Sequence, residues 1–552
     1  MVVVQKYLLP VAIATWCVGL VALVTPQATT VATAQESHTS TMLFETSDAC
    51  IACHNGLTTP SGADVSIGSD WRASMMANAA RDPYWQAAVR REVMDHPGAR
   101  EAIEDKCSTC HMPMARVEAG ESGGIGHVFA HLPIGTGETR ASRLAADGVS
   151  CAVCHQIADE KLGTPESFTG GFVVDAGGDA GPREIFGPFD VDDGRTRIMQ
   201  SASGFVPTES THLQSSEVCA TCHTLFTHSL NAEGQEIAEV AEQVPYLEWA
   251  HSAYAQGDVQ SCQSCHMPVV EEETPISAVL GEPRDGFSRH VFRGGNFFML
   301  RMLNRYRAEL GVTALPQELD SAARRTVANL QTDTAIVDVS RPIATPSQLR
   351  FDVRVENLGG HKLPTAYPSR RVWLHVAVRD ADGGIVFESG ALDPTGAIRG
   401  NDNDTDPTRY EPHHLEISHS GQVQIYEPVM VDENGAVTTG LLTGVRYAKD
   451  NRLLPRGFDK TTAEWNIAVY GTAAEDSDFA GGSDRVRYLI DVEGASGPFQ
   501  VVAQLWYQPI GYRWARNLAS YKAFETQRFV RYYDSMAASS GLVLAKDAAS
   551  SE

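Results

Sequence analysis

The chain has 552 residues, of which 43% are hydrophobic and 20% charged, and carries a formal net charge of −25. That length and composition exclude both a single small core and a disordered polymer, and point to two or three domains. The acidic balance argues against a nucleic-acid-binding surface and suits either plain solvation or the steering of cationic partners.

Residues 1–34 read as a secretory signal peptide. Lys6 supplies the positive start, Tyr7 to Val24 the apolar stretch, and Ala32-Thr33-Ala34 a cleavage site before Gln35. Export to the periplasm or the cell exterior follows. An uncleaved anchor is the other reading, because the apolar run of about 18 residues reaches the lower edge of a spanning helix. No further long apolar run occurs, so no membrane span is expected after cleavage.

Eleven cysteines are present, and Cys17 lies within the signal. The other ten form five C-x-x-C pairs, each followed directly by histidine: Cys50, Cys53 and His54; Cys107, Cys110 and His111; Cys151, Cys154 and His155; Cys219, Cys222 and His223; Cys262, Cys265 and His266. This pattern is the attachment signature of c-type haem, in which two thiols bond the porphyrin and the adjacent imidazole binds the iron. With 11 cysteines and 18 histidines, chance supplies roughly 0.007 such motifs, so five covalently bound haems are expected. Structural disulfides need no histidine, and neither zinc sites nor redox pairs repeat in this form.

The motifs start at 50, 107, 151, 219 and 262 without a fixed period. Between them the chain is rich in Gly, Pro and Ser, with an irregular helical pattern over Trp71 to Met94. Residues 35–310 therefore read as a mostly helical and irregular multihaem domain whose porphyrins serve as core. Helical spacing over Asn296 to Leu310 and again over Pro316 to Leu330 closes that domain, with 311–332 as a helical linker.

From 333 to 510 the pattern alternates. Leu349, Phe351, Val353 and Val355 mark one strand and Val372, Leu374, Val376 and Val378 another, with a turn at Asp380 to Gly384. Val423 to Glu427, Val486 to Ile490 and Gln500 to Tyr507 continue it, which predicts an immunoglobulin-like β-sandwich. Residues 511–536 read as a C-terminal helix packed back on the haem domain, and 537–552 as a disordered tail.

What fills the sixth iron position separates a carrier from a catalyst. Besides the five motif histidines, His96, His127, His131, His212, His228, His251 and His290 lie in or beside the haem segment. His361, on the loop Asn357 to Thr365, is read as reaching a haem from the β-region, its two preceding glycines allowing close approach. His375 reads as structural, and His413, His414 and His419 as surface residues. Met75 and Met76 are further ligand candidates, whereas Met112, Met114 and Met267 read as packing residues.

The chain resembles the multihaem cytochromes related to the hydroxylamine oxidoreductase and octahaem tetrathionate reductase group. The likeness covers about residues 45–380 and rests on the haem motifs, Trp71-Arg-Ala-Ser-Met-Met76 with Asp82-Pro83, Cys107 to Pro113, Asp147 to Cys151, Glu248-Trp249-Ala-His251-Ser-Ala-Tyr254, Arg289 to Asn296, and Gly360 to Thr365. The resemblance implies packed haem pairs, distal histidines drawn from distant loops, and a place in respiratory electron transfer. Its distal ligands fall first on His251 and His290, then on His96, His212 and His361, with His131 and His127 after them. This sequence departs from the catalytic members in having five motifs, none ending in lysine, and no spare cysteine for a thiolate ligand.

Electron transfer along the haems, between unnamed redox partner proteins and with no catalytic residue, is the reading these features favour. A haem-based oxidoreductase acting on a small nitrogen or sulfur compound and a structural subunit of an extracellular haem complex or filament are the alternatives.

Overall fold

Period-two alternation builds the C-terminal half. In the strand Gln348–Asn357, Leu349, Phe351, Val353 and Val355 are buried while Arg350 and Arg354 face solvent. This strand pairs antiparallel with Ser483–Asp491, placing Phe351 opposite Tyr488, and on its other side with Ala335–Val339. A second sheet centres on Arg371–Arg379 and Gln500–Gln508, flanked by Ile385–Ser389 and Leu542–Ser550. Leu374, Val376 and Leu505 of this sheet share one apolar core with Phe351 and Val353 of the first.

The computed structural model describes residues 42–175, 182–257 and 259–552. The signal peptide expected at residues 1–34 lies outside them. Among the described residues, no helix is long and apolar enough to cross a membrane.

The N-terminal half is made of short helices and loops. The pattern over Trp71 to Met94 is irregular because it spans two helices, Ile67–Arg72 and Pro83–Asp95, the second capped by Asp82. The expected helix over Asn296 to Leu310 is Phe297–Arg305 followed by Arg307–Leu310, and Pro316–Thr332 follows it. These helices bury Phe297, Phe298, Met302 and Leu319 in the same core as the sheets. Residues Met42–Glu552 accordingly form one compact unit, so the expected boundary between haem region and β-region is crossed by a continuous core.

Two expectations at the C-terminus are corrected. The last helical stretch is two helices, Tyr512–Asn517 and Phe524–Met536. The second packs on Pro83–Asp95 through the bidentate Arg90–Glu525 pair and the Phe529–Tyr84 contact. The tail expected to be disordered instead supplies the strand Leu542–Ser550, paired along its length with Gln500–Gln508. Its alternation is hidden because Ala545, Ala548 and Ala549 give little hydrophobic contrast, while the backbone ladder forms regardless.

Candidate functional site

Each C-x-x-C-H motif lies on or beside a short helix: Asp48–Ile51, Arg100–His111, Cys151–Cys154, Ser216–His223 and Cys262–His266. None of the ten thiols forms a disulfide. Burial pushes the Cys154 thiol up to about 12 and raises Cys107 further.

Four of the five motif histidines are locked in one tautomer. His54 donates its Nδ1–H to the Ile276 carbonyl at 2.6 Å, His111 to Ala79 at 3.0 Å, His155 to Phe186 at 2.6 Å, and His266 to Arg293. A carbonyl can only accept, so the proton sits on Nδ1 and the Nε2 lone pair of the neutral ring is free. This is how a metal-binding imidazole is oriented by its second partner. Burial lowers His111 and His266 to about 4, which keeps both rings in the neutral form that binds a metal.

Two of these histidines face a second imidazole across a gap. His155 and His290 lie with ring centroids 6.3 Å apart and planes within 15°, and His266 and His361 repeat both values. His290 and His361 also spend Nδ1 on a carbonyl, that of Ser288 and that of Lys362, each at 3.0 Å. Two metal–imidazole bonds of about 2.0–2.1 Å, plus about 1.1 Å from each nitrogen to its ring centre, span about 6.2–6.4 Å. The donor sets therefore fit an iron held between each pair.

The remaining distal candidates divide. His96 is 8% exposed and neither ring nitrogen has a partner, a costly arrangement for a buried imidazole unless a ligand completes it. His212 is corrected. Its Nε2–H goes to the Ile157 carbonyl at 2.8 Å and its Nδ1 accepts from Ser210 at 2.6 Å, leaving no lone pair for iron. His251 turns to the β-region, where its Nε2 donates to the Asp459 carbonyl at 3.0 Å. His127 is exposed, and His131 lies half-buried at 3.4 Å from Ser142 Oγ. His228 is exposed beside Glu239. Met75 packs against the main core and Met112 and Met114 are buried in a second cluster.

The motifs are neighbours. The thiols of Cys50 and Cys151 lie within electrostatic reach of one another, as do those of Cys110 and Cys222, of Cys219 and Cys262, and of Cys154 and Cys222. The first motif therefore meets the third, the third the fourth, and the fourth also meets the second and fifth. Asp147 clasps the first and third, accepting from Ser47 N and Oγ at 2.7 Å and from Ser150 Oγ at 2.5 Å. Trp85 stacks on His111 at 4.2 Å and 7°. Sequence reasoning missed these supports because the orienting groups are mostly backbone carbonyls, which any residue supplies.

His413 is also corrected, being buried rather than on the surface. With Asp476 and Asp484 it makes a cluster of metal-ligand composition, but its ring is already committed. Gln424 and Asn451 have their oxygens fixed by the N–H groups of His414 and Glu427, so their amides donate to His413 Nδ1 at 2.8 and 3.0 Å. Nε2–H then donates to Asp476 at 3.1 Å, and no lone pair remains for a cation.

No protein-family model matches the chain, and no curated protein sequence matches it. Among solved structures it is similar to a penta-heme cytochrome c552 from Thermochromatium tepidum, with 15% identity and a TM-score of 0.51 over 93% of this chain and 99% of that one. At that identity the likeness is one of fold.

Proposed function

We propose that this chain is an exported cytochrome carrying five covalently attached haems, and that it transfers electrons between redox partner proteins in a respiratory process. The observation that carries the reading is the pair of facing imidazoles, His155 with His290 and His266 with His361, each at 6.3 Å and 15°. The similar fold of a penta-heme cytochrome supports it. Bound haem supplies an iron that changes oxidation state by one electron, and bis-imidazole ligation keeps that iron closed to substrate.

The chain's own residues do the rest. The ten motif cysteines attach the groups and the motif histidines ligate them. His290 and His361 take the distal positions at the third and fifth motifs, and His96 takes one elsewhere. Carbonyls of Ile276, Ala79, Phe186 and Arg293 hold the proximal rings. Contacts among the five motifs keep the attached groups close enough for exchange, and the two sheets, read as an immunoglobulin-like sandwich, brace the distal loop of His361. The site lies in the periplasm or outside the cell, where an acidic surface suits cationic partners.

Mass measurement of the matured polypeptide tests the count: five added haems and no alkylatable thiols are expected, and fewer would sink the reading. A second reading, an oxidoreductase acting on a small nitrogen or sulfur compound, draws on His54, His111 and His223. Among the described residues no second imidazole stands in ring contact with them. Binding of nitrite, cyanide or carbon monoxide by the native protein would favour it, and five low-spin centres would count against it.

A further inference from the structure

The loop that brings His361 to His266 hangs on a buried quartet of charges. Glu248 lies in the helix Pro245–Ala250, upstream of the fifth motif, and is fully buried. Its Oε2 accepts the backbone N–H of Lys362 at 3.1 Å and the Thr365 hydroxyl at 2.5 Å. Its Oε1 lies 2.8 Å from Arg452 Nη1. Arg452 grips Asp450 through Nε and Nη2 at 2.8 and 2.7 Å, and Lys362 Nζ reaches the same carboxylate at 2.8 Å. Two cations and two anions thus cancel in a site shielded from water.

The same stretch of chain restrains the loop at other points. Tyr254 donates to the Leu358 carbonyl at 2.6 Å, and a Cβ on Gly360 would stand 3.3 Å from Trp249, so the backbone lies directly on these rings. Asn357 Nδ2 donates to the carbonyl of His361 itself at 2.8 Å. Burying four charges costs several kcal/mol per ion before pairing, and well-packed apolar residues commonly serve stability as well. What the quartet supplies is a fixed position for the residue next to His361.

We propose that Glu248 is a positioning residue for the fifth haem site, holding His361 across from His266 through the backbone N–H of Lys362 and the hydroxyl of Thr365. This inference rests on reading His266 and His361 as the two axial ligands of one haem.

The test uses the matured holoprotein, with electron paramagnetic resonance of the ferric state, carbon monoxide binding in the ferrous state and potentiometric titration. His361→Ala is expected to turn one haem in five high-spin and to add one carbon monoxide site per chain, both reversed by added imidazole. Glu248→Gln is expected to move the same haem, by partial high-spin conversion or a shifted potential, with the other four unchanged. If His361→Ala alters no haem, the ligand reading itself falls. If His361→Ala behaves as expected while Glu248→Gln matures with all spectra and potentials of the parent, Glu248 is not a positioning residue. Should Glu248→Gln fail to mature, Thr365→Val removes one of the two loop contacts without touching a charge; a shift confined to that haem supports the proposal, and parental spectra and potentials overturn it.

Discussion

The two halves of this molecule solve the same packing problem with different material. In the β-region the buried faces of two sheets meet through side chains, as in the Phe387–Tyr488 contact, with ring centroids 6.1 Å apart and planes at 78°. In the haem region the helices are short, and buried polar atoms such as both ring nitrogens of His96 and the Arg293 Nε stand without partners. Hydroxyls such as those of Tyr488 and Tyr507 stand without partners in the β-region too, but its apolar faces still complete a core from side chains. The imidazole pairs His155–His290 and His266–His361, by contrast, stand across a gap that only something bound can complete.

The sharpest way to break this comparison is to prevent haem attachment. Replacing all ten motif cysteines by serine is expected to make residues 50–266 sensitive to limited proteolysis while the helices and sheets from Phe297 onward stay protected. Equal protection of both regions would show that side chains alone hold the N-terminal half. The converse test is Tyr488→Ala, which leaves a cavity beneath Phe351 and should cost ~3–5 kcal/mol in denaturant unfolding. The haem spectra should not change; a spectral change would mean that the core transmits its packing to the iron sites.

A smaller effect, of a few kcal/mol at most, is expected from Glu242. It is buried, accepts from Thr227 at 2.6 Å, and burial pushes its carboxyl from an ordinary 4.5 up to about 7. The native state therefore holds this proton more tightly than the unfolded chain does. The stability so contributed is complete below pH 4.5 and is lost as the pH rises through about 7. Glu242→Gln should match the parent near pH 4.5 and be more stable at pH 8, by about 3–3.5 kcal/mol at about 1.4 kcal/mol per pH unit. Parallel melting curves at both pH values would remove Glu242 as the titrating group.

The same contrast explains what could be read from the sequence. The five motifs and the strands around Phe351, Leu374, Val486 and Leu505 were legible because short spacing or strict alternation carries them. The strand Leu542–Ser550 was not, since its alanines hide the period and its edge position asks mainly for backbone pairing. Choosing between His290 and His212 was beyond any local pattern. Both are buried or half-buried histidines in the haem segment, but the Ile157 carbonyl and Ser210 occupy both nitrogens of one, while only Nδ1 of the other is taken. His413 misled for a related reason, because polar side chains are buried when a network of fixed amides and carboxylates awaits them.

The smallest expected effect asks whether the haem region's own contacts matter once its cofactors are in place. Asp147 ties the segment before the first motif to the start of the third through the Ser47 N–H, the Ser47 hydroxyl and the Ser150 hydroxyl. In Asp147→Asn the remaining oxygen can still accept the backbone N–H, and a serine hydroxyl can reverse to accept from the new amide. The loss is then one charge-assisted bond weakened rather than a buried group orphaned, about 1 kcal/mol. Asp147→Ala leaves the Ser47 N–H unmet and should cost about 2–3 kcal/mol. If both variants melt with the parent while haem content stays at the parent's level, the clasp is redundant, and the first and third sites are held together by other contacts or by what is attached there.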